Sequence, residues 1–139
     1  MERDTPPDSL VLEEAHWRAL CGHADACVPE EACGILAGRD DRCVSVIPLT
    51  NTLHSATAYS VAPEELFTAF TTLENNAWEL LGIFHSHPLG EARPSATDVA
   101  DAHYPGSAYL ILARSGNDWL GRAFNIRNGE VTEIPLRVG

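Results

Sequence analysis

Two histidines and an aspartate near the middle of the sequence have a spacing that suits a metal ion. His85 and His87 are separated by one residue, and Asp98 follows after a short loop. Side chains at positions i and i+2 of a β-strand point to the same face, so both imidazoles can reach one cation. Two imidazoles and a carboxylate form the ligand set of a catalytic zinc that keeps its fourth position for water. The spacing therefore predicts one zinc ion per chain at these three residues.

A buried strand is predicted to lead directly into the histidines. Residues 78–84 read W-E-L-L-G-I-F, and a mostly apolar run of this kind is typical of a strand covered on both faces. Pro88 disfavours continuation of the strand and biases His87 toward an extended backbone. The histidines would then lie at the carboxyl edge of the sheet, where ligands of open α/β sheets bind.

Each of these residues also has a purely structural interpretation. Ser95 and Asp98 fit the S/T-x-x-D/E capping box, which begins a helix, and a cap can hold a carboxylate in place for a metal as well. Two histidines in an H-x-H pattern can equally be core residues that bond to the backbone. The residues alone leave these alternatives open.

The pattern resembles the signature of the JAMM/MPN metalloprotease family. His85-x-His87 is followed after seven residues by Ser95 and after two more by Asp98, and residues 29–38 read P-E-E-A-C-G-I-L-A-G. The resemblance spans residues 10–138 and implies that Glu31 holds and deprotonates the attacking water. It also implies that Ser95 donates a hydrogen bond to the developing oxyanion. Without the resemblance, Glu31 would be interpreted as a solvated acid and Ser95 as a helix cap.

The resemblance implies a zinc-dependent hydrolase that cleaves a peptide or isopeptide bond after the C-terminal Gly-Gly tail of a ubiquitin-like protein. Since the chain is similar to the compact prokaryotic type, release of an amino acid such as cysteine from a ubiquitin-fold sulfur carrier is the first choice. The alternatives are removal of a ubiquitin-like modifier from target lysines and a metal-free scaffold that only binds a partner. His54 and His103 are interpreted as structural or exposed, because the family's ligand set is complete without them.

Two other enzyme classes use related ligands. A zinc deaminase needs H-x-E together with P-C-x-x-C, and the sequence contains no C-x-x-C. A non-haem iron oxygenase uses two histidines and a carboxylate, so the residues do not distinguish it from a zinc site. A requirement for ferrous iron and a 2-oxo acid would identify that class.

Length and composition predict one globular domain over residues 1–139, with residues 1–9 as a flexible extension. The net charge is −11 and all nine basic residues are arginines, which argues against nucleic-acid binding. No apolar run suits a signal peptide or a membrane span, so we expect a cytoplasmic protein with reduced cysteines. Cys33 is interpreted as a small apolar core residue.

Periodicity and turn residues predict alternating strands and helices. This pattern indicates an α/β fold with one mixed, curved sheet of about six to eight strands packed by helices, and the resemblance implies a cytidine deaminase-like architecture. Strands are expected at 10–12, 33–37, 42–49, 59–62, 78–87, 108–113, 119–126 and 131–136, and helices at 13–27, 63–75 and 96–103.

Overall fold

A computed structural model describes residues 1–139 and contains eight strands and three helices in an α/β arrangement. In chain order these are β1 (Leu10–Leu12), α1 (Glu14–Cys27), β2 (Cys33–Arg39), β3 (Arg42–Leu49), α2 (Pro63–Asn75), β4 (Glu79–His87), α3 (Ala96–Ala100), β5 (Ala108–Ser115), β6 (Asp118–Arg127), β7 (Glu130–Ile134) and β8 (Leu136–Val138). None of the helices combines the length and apolar character that a membrane crossing requires.

The strands form one mixed sheet in the order β7-β6-β5-β4-β2-β3-β1-β8. β4 lies at its centre, antiparallel to β2 and parallel to β5. Strands β7 and β8 lie at opposite ends of this order although only Pro135 separates them in the chain. The sheet must therefore curl until its two edges approach each other, which confirms the predicted curvature.

Helices cover both faces of the sheet, and we name each face by its helix. On the α1 face, Leu20 and Ala24 pack against a wholly apolar cluster that includes Leu36, Phe84 and Leu110. On the α2 face, Ala69 and Leu73 pack against a second cluster that contains Cys33, Ile35, Ile83 and Ile111. Successive residues of a strand alternate between the faces, so each central strand supplies both cores.

Most predicted elements are present, but three predictions were wrong. Residues 59–62 form no strand, because Ser60 bonds to the loop residues Asn51 and Thr52 instead of to a neighbouring strand. Helix α3 ends at Ala100, well short of His103. The last predicted strand, 131–136, is divided at Pro135, and its second part pairs in parallel with β1.

The N-terminal residues 1–9, expected to form a flexible extension, have no regular secondary structure but lie against the domain. Arg3 donates hydrogen bonds to Glu79 at 2.6 Å and to Asp41, and its side chain is only 10% exposed. The amide of Leu80 donates to the carbonyl of Met1. These contacts attach the segment to the start of β4.

Candidate metal centre

The two histidines lie at the carboxyl end of β4 and point to the same face, as the i, i+2 spacing predicts. His85 pairs with Cys33 on β2 and with Ile111 on β5, and both of these belong to the core of the α2 face. The Nε2 atoms of His85 and His87 are 2.9 Å apart. Both side chains are buried, at 2% and 7% exposure. The sheet therefore presents two imidazole nitrogens to one buried point.

Asp98 reaches the same point from the first turn of α3. Its Oδ2 atom lies 3.1 Å from Nε2 of His85 and 3.1 Å from Nε2 of His87. The Ser95 amide donates to this oxygen at 2.8 Å, and the Ser95 hydroxyl oxygen accepts from the Asp98 amide at 3.1 Å. The capping box predicted from the sequence is thus present, and it holds the carboxylate against the histidines.

Glu31 is buried beside this cluster, in the loop that enters β2. Its side chain belongs to a group with His85 and His87 in which one potential ligand atom of each residue lies within 4.8 Å of the others. The residue is 4% exposed, and its Oε1 atom has no hydrogen-bond partner. A buried carboxyl oxygen without a partner is costly, which is typical of a functional site. Tertiary structure thus brings together residues that are more than fifty positions apart.

Two further contacts orient the histidine rings. Nδ1 of His87 lies 2.7 Å from the carbonyl oxygen of Glu91, which fixes the proton on Nδ1 and leaves Nε2 as the free acceptor. The ring of Tyr59 stacks on His85 with centroids 4.8 Å apart. Nδ1 of His85 is buried and has no partner.

Sequence reasoning missed two residues that position Glu31. Ser86 accepts a hydrogen bond from the Ala32 amide at 2.8 Å and donates its own amide to the Ala32 carbonyl. Asn51 is buried and donates to the carbonyls of Glu31 and Ala58 at 3.0 Å each. It also accepts from the Ser60 amide at 3.2 Å. Ser86 stood out only by its place between the histidines, and Asn51 had no distinguishing signal in a polar loop.

Burial and the opposed charges set the ionisation of the cluster. Burial, together with the charge of Asp98, raises the pKa of Glu31 to about 7, although His87 opposes the rise. Burial lowers the pKa of His85. Burial also acts to lower the pKa of His87, but hydrogen bonds to Asp98 and Glu91 raise it overall. Burial opposes ionisation of Asp98, yet hydrogen bonds from both histidines hold the pKa of its carboxyl well below the usual range.

The donor set fits a small, tetrahedral metal ion. Ligands about 2.0–2.1 Å from a tetrahedral zinc lie roughly 3.3 Å from one another. The three ligand atoms of His85, His87 and Asp98 are separated by 2.9, 3.1 and 3.1 Å. The three atoms converge on one point, where a cation would take the place of the protons that the histidines share with Asp98. The protein therefore contains a candidate metal site with an adjacent buried acid.

The remaining candidate residues lie outside this cluster. His54 is exposed and pairs with Glu30 at 3.0 Å. His103 is exposed on the loop after α3, at the rim of the cavity that borders His85. Burial raises the pKa of the Cys33 thiol to about 12, so this cysteine is an unreactive core residue rather than a nucleophile.

A family model described as "Prokaryotic homologs of the JAB domain" matches residues 13–127 of the chain. Among curated proteins, the chain is 36% identical to the CysO-cysteine peptidase of Mycobacterium tuberculosis over 132 residues, which covers 93% of this chain and 90% of the relative. It is 37% identical to the desampylase of Haloferax volcanii over 103 residues, covering 69% of this chain and 74% of the relative.

Solved structures share the architecture. The solution structure of protein DSY2949 from Desulfitobacterium hafniense superposes with a TM-score of 0.84 at 34% identity, covering 94% of this chain and 92% of that one. A JAB1/MPN domain protein from Archaeoglobus fulgidus superposes with a TM-score of 0.55 at 21% identity, covering 91% of this chain and 97% of that one. At that identity the second likeness concerns the fold alone.

Proposed function

The chain belongs to the prokaryotic homologs of the JAB domain and is a hydrolase of the JAMM type, and we propose that its substrate is a ubiquitin-like carrier protein. It cleaves the bond after the carrier's C-terminal Gly-Gly tail. Our first choice for the reaction is release of cysteine from a sulfur carrier. The CysO-cysteine peptidase of Mycobacterium tuberculosis matches 93% of this chain over 90% of its own length, and this similarity favours cysteine release. The convergence of His85, His87 and Asp98 beside the buried Glu31 carries the proposal.

One zinc ion per chain is held by His85, His87 and Asp98. Zinc bound there supplies the Lewis acid that polarises the scissile carbonyl and acidifies water. The three side chains hold this position because strand pairing fixes both histidines and the capping box fixes the aspartate. The carbonyl of Glu91 accepts from Nδ1 of His87, so in the neutral ring the lone pair is on Nε2, the atom that faces the ion.

Glu31 acts as the general base. Its pKa of about 7 suits a group that takes a proton from water and later gives it to the leaving amine. Its Oε1 atom has no hydrogen-bond partner within the protein, so it can accept a hydrogen bond from a water molecule. The Ser95 hydroxyl accepts from the Asp98 amide with its oxygen, so its proton remains available to the oxyanion.

A second function is removal of a ubiquitin-like modifier from lysines of target proteins. The similarity to the desampylase of Haloferax volcanii supports it, although that match covers a smaller share of the chain. The two functions use the same chemistry on the carrier tail and differ in the leaving group. They are distinguished by comparing a carrier with a C-terminal cysteine against the same carrier linked to a lysine side chain.

The metal site is tested first, by measuring the metal content of the wild type and of a His85→Ala, His87→Ala double variant. We expect about one zinc per chain in the wild type and none in the double variant. The matched control is His54→Ala, which removes an exposed histidine and should keep the zinc. A wild type that binds no metal even with zinc supplied would favour the metal-free scaffold instead.

The reaction is tested with CysO, the carrier named in the mycobacterial relative, bearing a cysteine at its C-terminus as the substrate. We expect zinc-loaded protein to release cysteine, and the double variant to release none. Zinc-loaded protein that cleaves only the lysine-linked carrier would favour the second function. Turnover that depends on ferrous iron and a 2-oxo acid would contradict hydrolysis altogether.

A further inference from the structure

An arginine-rich cavity adjoins the metal centre on the side of His87. It has a volume of about 440 Å³, and its walls include Arg93, Arg114 and Arg122. Three of the nine arginines of a chain with net charge −11 and no lysine therefore line this cavity beside one acidic residue, Glu91, although Arg114 leans toward Trp119 on the α1 face. Such a concentration of positive charge in an acidic protein favours an anionic ligand.

Arg93 and Arg122 are not firmly engaged within the protein, whereas the guanidinium of Arg114 lies over the Trp119 ring, 5.1 Å from its centroid. Arg93 lies 3.8 Å from Glu91, Arg114 lies 3.8 Å from Asp25, and Arg122 lies 4.0 Å from Glu133. Their side chains are 67%, 37% and 44% exposed. Ion pairs this long and exposed contribute little to stability, so the guanidinium groups of Arg93 and Arg122 remain free to bind a ligand.

The cavity is placed close to the reacting bond by the sheet register. Ala113, in its wall, pairs directly with His87. Arg122 pairs with Ile111, which in turn pairs with His85, so Arg122 lies two strands from the centre on the same face. At about 4.8 Å per strand, the backbone of Arg122 lies roughly 10 Å from the backbone of His85. A bound amino acid and an arginine side chain together can span this distance.

A second cavity touches the centre through His85 and Asp98, and it differs in character. It has a volume of about 400 Å³ and is lined mainly by apolar and aromatic residues, with Tyr59 and Phe70 among them. No arginine lines it, and Asp101 adds a negative charge. Arginines therefore line only one of the two cavities, the one on the side of His87.

We propose that the arginine-rich cavity binds the carboxylate of the released amino acid, with Arg122 and Arg93 as its specificity-determining residues. This inference rests on the proposed function, since it concerns the leaving group of that reaction. A free amino acid carries a carboxylate next to the amine being released, whereas a lysine in a target protein carries none there. The arginine fork matches a carboxylate through two parallel hydrogen bonds, so this cavity favours amino-acid release over isopeptide cleavage.

The test compares CysO carrying a C-terminal cysteine with CysO carrying cysteinamide, whose terminus is neutral. Zinc-loaded wild type should cleave the acid roughly tenfold more efficiently than the amide, mainly through a lower KM. Arg122→Gln and Arg93→Gln should raise KM for the acid about tenfold and leave cleavage of the amide unchanged. Arg122→Lys should restore part of the preference because it keeps the charge but not the fork.

Arg18→Gln is the matched control, because Arg18 is exposed on α1, which covers the opposite face of the sheet. Binding is measured separately as the Kd of the uncleaved acid substrate for a Glu31→Gln protein, with and without Arg122→Gln. The Arg122 change should weaken this Kd about tenfold without altering zinc content. This readout does not depend on turnover.

The outcomes separate the two proposals. Equal wild-type cleavage of acid and amide would overturn the carboxylate site while leaving the proposed function intact. If the arginine variants raise KM equally for the acid and the amide substrates, the cavity binds the body of the carrier and not the carboxylate. If wild type cleaves neither substrate, the proposed function fails, and the carboxylate site fails with it.

Discussion

The two faces of the sheet use the same central strand for different purposes. On the α1 face an apolar cluster includes Phe84 of β4, and the buried Ser86 on the same side of the strand is satisfied by the Ala32 amide. On the α2 face the apolar core ends at Cys33 and Ile111, and buried polar residues continue from it. His85 follows Phe84 directly, yet it lies on the opposite face and belongs to the metal centre. Alternation along one strand thus separates stability from chemistry.

The difference is also visible in hydrogen bonding. Two of the three buried side-chain polar atoms without a partner, Oε1 of Glu31 and Nδ1 of His85, lie in the metal centre. Each buried polar atom left without a partner costs about 1–3 kcal/mol of stability. Apolar burial on the α1 face has to offset this cost, and a bound metal would stabilise the folded state further. Substitutions on the two faces should therefore have opposite consequences.

The largest expected effect is on activity, at the α2 face. Glu31→Gln should lower kcat by about 10²–10⁴-fold, because it removes the general base but keeps the shape of the side chain. Zinc content should not change, and the unfolding free energy of the metal-free protein should not fall, since a buried ionisable group is lost. Kinetics, metal analysis and denaturant unfolding measure these three quantities.

Glu30→Gln is the matched control for this change. Glu30 is the neighbouring residue in the sequence, but its side chain is 37% exposed and pairs with His54. Its substitution should leave kcat within about twofold of the wild type, since exposed ion pairs contribute little. Equal losses of activity at both positions would remove the reason to assign the base to Glu31.

The α1 face should show the reverse behaviour. Leu110→Ala removes a fully buried side chain from the apolar cluster and should lower the unfolding free energy by about 2–5 kcal/mol. Folded protein should keep its zinc and its kcat, since no group of the centre is touched. Leu53→Ala, at a loop position 53% exposed, should change stability by less than about 1 kcal/mol. A Leu110 variant that stays stable but loses metal would refute the separation of the two faces.

A smaller effect is expected at Asn51, which connects the two roles. Asn51→Ala removes the hydrogen bonds to the carbonyls of Glu31 and Ala58 and should lower stability by about 1–3 kcal/mol. It should also lower kcat about tenfold, with KM and zinc content unchanged, because Glu31 is no longer held in place. Loss of stability with kcat unchanged would make Asn51 a structural residue only.

Local pattern was a good guide to most elements of the fold. The ends of β1, α1 and β3 agree with the prediction to within one residue, because turn residues and apolar periodicity act over short distances. The predicted strand at 59–62 was wrong for a long-range reason. Asn51, nearly ten residues earlier, satisfies the backbone groups of Ala58 and Ser60 in place of a neighbouring strand.

The route of the C-terminus also escaped prediction. Asn128-Gly129 correctly indicated a hairpin, and β6 and β7 pair around it. Nothing local indicated that residues 136–138 would leave this hairpin and pair with β1 at the opposite end of the sheet. That pairing depends on the curvature of the whole sheet, which no short segment specifies.

The sequence by itself indicated the candidate metal ligands. Strand periodicity places His85 and His87 on one face, and a capping box places Asp98 in the first turn of a helix. Only the tertiary structure decided the place of Glu31, because burial depends on β2 pairing with β4 across a wide gap in the chain. Local rules specify the direction of a side chain, whereas its environment follows from the order of the strands.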